Sequence, residues 1–89
     1  MEITENSLSS EMFDKLKDIV AGAFKYETGN FNRSKYIVEK LRNIYGTANY
    51  NFCCIVGDKY SYDAFYHYYS DVYFKCYFEN KKITLFSGK

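Results

Sequence analysis

The sequence predicts an α+β domain, two helices packed on one face of an antiparallel sheet. Three observations carry this. Apolar residues recur at three- and four-residue steps as far as Tyr45, and the period falls to two after Tyr50. The β-branched and aromatic run that follows is broken at Gly57 and again at Glu79-Asn80-Lys81. Residues 1–89 read as a single domain, with no linker, internal repeat or low-complexity stretch.

The segment up to Leu8 is polar and is expected as a loose arm, with Ile3 in a short strand. Ser9 or Ser10 suits a helix N-cap, and Glu11 and Asp14 then place negative charge where the helix dipole favours it. Met12, Leu16, Ile19, Val20, Ala23 and Phe24 fall on one face of that helix, which Gly29 is expected to end. Asn32 is the next N-cap candidate. Ile37, Val38, Leu41, Ile44 and Tyr45 repeat the spacing until Gly46 stops the second helix. From Tyr50, Phe52, Cys54 and Val56 share one strand face, with Cys53 and Ile55 on the other. Tyr60–Tyr66, Val72–Phe78 and Lys82–Phe86 are the further strands. Glu79-Asn80-Lys81 makes a hairpin turn, because asparagine tolerates positive φ.

Composition narrows the function. A chain of 89 residues buries only about 60–65% of its unfolded surface, so burial against a partner is an attractive remedy. Eleven tyrosines and eight phenylalanines suit half-buried surfaces and interfaces. A net charge of +1 is too small to draw nucleic acid or a membrane by field alone. The longest apolar run with a glycine allowed, Ile19 to Phe24, is far short of the ~20 residues of a membrane span. The opening Met1-Glu2-Ile3-Thr4-Glu5 lacks the basic-then-apolar pattern of a signal peptide. Three cysteines, two of them adjacent, do not make a disulfide framework, so a reducing cytosolic setting is expected.

The segment Cys53-Cys54-Ile55-Val56-Gly57-Asp58-Lys59-Tyr60, within the order helix, helix, strands, resembles the eight-kilodalton dynein light chain family. The family's run is histidine, any residue, isoleucine, any residue, glycine, a basic residue and, one position on, phenylalanine. Ile55 and Gly57 match and Tyr60 nearly matches, whereas Cys53 replaces the histidine and Asp58 the basic residue. Ser61 and Ala64 are conservative against the next family positions, and Tyr66 matches. Ile83-Thr84-Leu85-Phe86-Ser87-Gly88 resembles the family's last strand and tail. Lys35, with the Ile37, Leu41 and Tyr45 spacing, aligns with its second helix. About two extra residues lie between Tyr66 and Tyr73.

The resemblance implies a strand-exchanged dimer in which Tyr60–Tyr66 is lent to the partner's sheet. Cys53, Tyr60, Tyr62, Ala64 and Tyr66 would then lie at the dimer interface. A partner peptide would enter each groove as a further strand, bound by main-chain hydrogen bonds and sorted by alternate side chains. The groove would use Lys35, Tyr60, Ser61, Tyr62, Asp63, Ala64, Phe65, Tyr66, Tyr73, Lys75 and Tyr77. Free N–H groups near Ser34 and Lys35 would receive a glutamine oxygen or a carboxylate. Phe65 stands where a threonine is usual and Lys75 where an aromatic is usual, so the family's Thr-Gln-Thr-like target is not carried over. A central Lys75 points to a partner with an acidic or polar residue. In the family the histidine at the position of Cys53 faces its symmetry mate, so its replacement implies a weaker acid response.

Each pointed reading has a plainer rival. Cys53, Cys54, Cys76 and His67 invite a metal site or a thiol nucleophile, but adjacent strand cysteines point to opposite faces and free cysteine mostly acts as a small hydrophobe. Tyrosine-rich strands can stack bases, yet Asp58, Asp63, Asp71 and Glu79 interrupt any basic groove. Lys35 can simply pair with Glu39 four positions on. The expectation is therefore a non-catalytic light chain of a dynein motor complex, without metal or cofactor, that binds peptides and pairs its partner chains. Its partners would be dynein intermediate or heavy chains and other light chains. It would form a homodimer, or a heterodimer with a related light chain, in the microtubule cytoskeleton of the cytoplasm or a ciliary axoneme, with no role for nucleic acid or membrane. The alternatives are a dimerisation hub unconnected to dynein and a small single-stranded nucleic-acid binder.

Overall fold

The computed structural model describes residues 1–59 and 72–87. The elements are β1 (Glu2–Asn6), α1 (Ser10–Tyr26), α2 (Asn30–Tyr45), β2 (Phe52–Asp58), β3 (Tyr73–Phe78) and β4 (Lys81–Ser87). Both helices pack on one face of a four-stranded antiparallel sheet of order β1-β3-β4-β2. The expected strand Tyr60–Tyr66 lies outside the described residues.

Helix α1 begins as its sequence dictates. Ser9 is the N-cap, and its Oγ accepts the Met12 N–H at 3.3 Å. All six expected apolar residues, from Met12 to Phe24, are buried. Its end differs from expectation: the helix stops at Tyr26 and Glu27 turns extended, donating its N–H to the Ala23 carbonyl. Gly29, at φ 85°, instead opens α2 as its N-cap residue, three positions before the expected Asn32. Glycine is the residue that tolerates that φ, so it marks the corner and not a helix end. Arg33 fastens this corner. Its Nε donates to the Glu27 carbonyl at 3.2 Å, and its guanidinium lies 4.2 Å from the centre of the Phe24 ring.

The helices also meet at Gly22. A Cβ there would stand 2.7 Å from the Tyr36 hydroxyl, so the bare backbone lets the tyrosine lie across α1. In α2, Ile37 and Leu41 are wholly buried and Val38 and Tyr45 half-buried, whereas Ile44 is exposed. The core face of α2 is thus narrower than its apolar spacing suggests.

Strand β4 is the centre of the sheet. It pairs with β2 from Phe52↔Ser87 to Asp58↔Lys81 and with β3 from Tyr73↔Phe86 to Phe78↔Lys81. Phe74, Cys76, Ile83 and Leu85 face the helices and are fully shielded from water. The β3–β4 turn is tighter than expected. Only Glu79 and Asn80 form it, at φ 48° and 67°, while Lys81 already belongs to β4. Two successive positive φ values are what a two-residue hairpin of the favoured twist requires.

Candidate functional site

Because strand side chains alternate, the register fixes a second face, free of helices among the described residues. Three rows cross it: Cys53–Phe86–Tyr73, then Ile55–Thr84–Lys75–Glu5, then Gly57–Lys82–Tyr77–Glu2. Tyr73, Lys75 and Tyr77 therefore stand side by side along β3, as their two-residue spacing predicts. Thr84 lies at the middle of the face with no exposed surface, ringed by the larger Lys75, Ile55, Lys82 and Phe86. Lys82 is also buried. Ile55 on β2 is 41% exposed, an unusual apolar residue to leave in water at the outer strand of the described sheet.

Three lysines of this region, Lys75, Lys81 and Lys59, have acidic or aromatic partners. Lys75 Nζ lies 3.2 Å from Glu5 Oε2, with Lys75 the more buried of the two. Lys81 Nζ meets Asp58 Oδ1 at 2.6 Å across the end of the β2–β4 ladder. Lys59 sits over the Tyr77 ring, 5.0 Å from its centre. Glu5 is the residue that sequence reasoning missed. Its charge was visible, but not the pairing of β1 with a strand some seventy residues later.

Lys35 lies elsewhere. It is exposed on α2, in the layer on the opposite side of the sheet from Tyr73, Lys75 and Tyr77. It lines a shallow cleft of about 120 Å³ with Glu27, Asn32, Tyr36 and Glu39. Nearby, α2 begins without a side-chain cap. Within one protomer, then, the expected site residues fall on two surfaces. Tyr60, Ser61, Tyr62, Asp63, Ala64, Phe65 and Tyr66 lie outside the described residues, as does His67.

The cysteines divide by face. Cys53, expected at a dimer contact, is half-buried on the helix-free face, and its thiol donates to the Asn51 carbonyl at 3.8 Å. Cys54 and Cys76 face the helices. Burial, followed by the nearby Cys76 and Cys53, pushes the Cys54 thiol strongly upward. Burial likewise pushes Cys76 up to about 12. Such thiols are poor nucleophiles, since the thiolate is the reactive form. Among the described residues no group of three His, Cys, Asp or Glu side chains is placed to hold a metal ion. Among them, too, no helix is long and apolar enough to cross a membrane. Comparison with protein-family models and with curated proteins gives no match to this chain.

Proposed function

We propose that this protein is a non-catalytic, dimeric peptide-binding light chain of the dynein light chain type. The observation that carries the reading is the sheet order β1-β3-β4-β2, which sets β2 outermost of the described strands with the aromatic run Tyr60–Tyr66 directly after it in the chain. A strand lent from that run to a second copy would extend the sheet beyond β2. A peptide would then add along the lent strand. Two surfaces of one protomer, the start of α2 with Lys35 and the helix-free row of Tyr73, Lys75 and Tyr77, would serve one groove once two copies combine. The start of α2, which has no side-chain cap, supports this, because first-turn N–H groups can donate to a ligand oxygen. A symmetric dimer with two grooves brings two partner chains together at high effective concentration. The partners on this reading are dynein intermediate or heavy chains and related light chains, in a microtubule-based motor complex.

Sedimentation at micromolar concentration, with a pulldown read by mass spectrometry, tests the proposal. A dimer that captures dynein chains supports it. A clean monomer that pairs with no related light chain would overturn it. Varied coiled-coil partners would indicate a general dimerisation hub, and RNA-associated proteins a nucleic-acid binder. The ion pairs of Lys75 and Lys81 weigh against the last reading, since a phosphate backbone needs cations that are not already neutralised. Asp63→Pro removes a backbone N–H from the run to be lent and should weaken both dimer and peptide binding.

A further inference from the structure

We draw no further inference here: the strongest candidate, the sheet face turned away from the helices, where Ile55 is exposed and Cys53, Phe86 and Tyr73 form the adjoining row, carries none because nothing in the structure of the described residues shows what covers it.

Discussion

The two core thiols make protonation a stability term. Cys76 ionises near 9.0 when exposed, and burial pushes it up to about 12. Between those values the unfolded chain loses the thiol proton and the folded chain keeps it. Unfolding then releases protons, and stability must fall as pH rises through that window, while below 9 the contribution is intact. Cys54 is shifted in the same direction, first by burial. Tyr45 adds a similar loss from its ordinary 10.0 upward, raised by burial, then by Glu11 and Tyr50. Urea denaturation between pH 8 and 10.5 should show a falling midpoint, and Cys76→Ala should flatten the fall whatever its own cost. An equally steep fall in that variant would remove Cys76 from the account. Under native conditions alkylation followed by mass spectrometry should label Cys53 ahead of the fully buried Cys76, which should be labelled only after unfolding. Rapid labelling of Cys76 would contradict the packing described here.

Among the elements, the β3–β4 hairpin offers the sharpest test. Glu79 occupies φ 48°, a conformation that asparagine or glycine adopts more readily than glutamate. Glu79→Asn should therefore stabilise the protein by roughly 0.5–1 kcal/mol. For a domain of this size that is about 2–8 °C in melting temperature. A lower melting temperature would show that the glutamate side chain makes a contact worth more than the strain. At the opposite end, Ser9→Ala removes the oxygen that receives the Met12 N–H. It should cost about 1 kcal/mol in urea denaturation, and no loss would mean that α1 does not depend on its cap. The face of α1 was legible because six apolar residues at helical spacing have one outlet, a core. The exposure of Ile44 was not, since periodicity marks a stripe and not its width. Neither was the place of Glu5 opposite Lys75: period two put it beside Ile3, and only pairing with β3 reveals the register shift that turns it over. Of the expected site, the alignment of Tyr73, Lys75 and Tyr77 on one face was legible, because one strand carries them at two-residue spacing. Its division between two faces follows from the helix layer, which residue spacing does not encode.

For the molecule as a whole, the proposed dimer makes a prediction in acid. A histidine pair across a dimer axis would repel once protonated, and Cys53, in that place, brings no such charge. Sedimentation between pH 6 and 4 should show a dimer that persists. Steep dissociation there would identify another titrating group, with His67→Gln the variant to examine. The order of the sheet also carries a consequence for synthesis. Strand β1 pairs with β3, and β2 pairs with β4, so among the described residues neither has a strand partner before Tyr73. A ribosome that has delivered both helices has delivered apolar faces with no sheet to cover them. The β3–β4 hairpin, the most local of these pairings, is the natural place for the sheet to start, and β1 must then find its strand across a loop of some seventy residues. Nascent chains of this protein are thus most exposed to misassociation just before Tyr73 emerges, a hazard set by strand order and not by the stability of the finished fold.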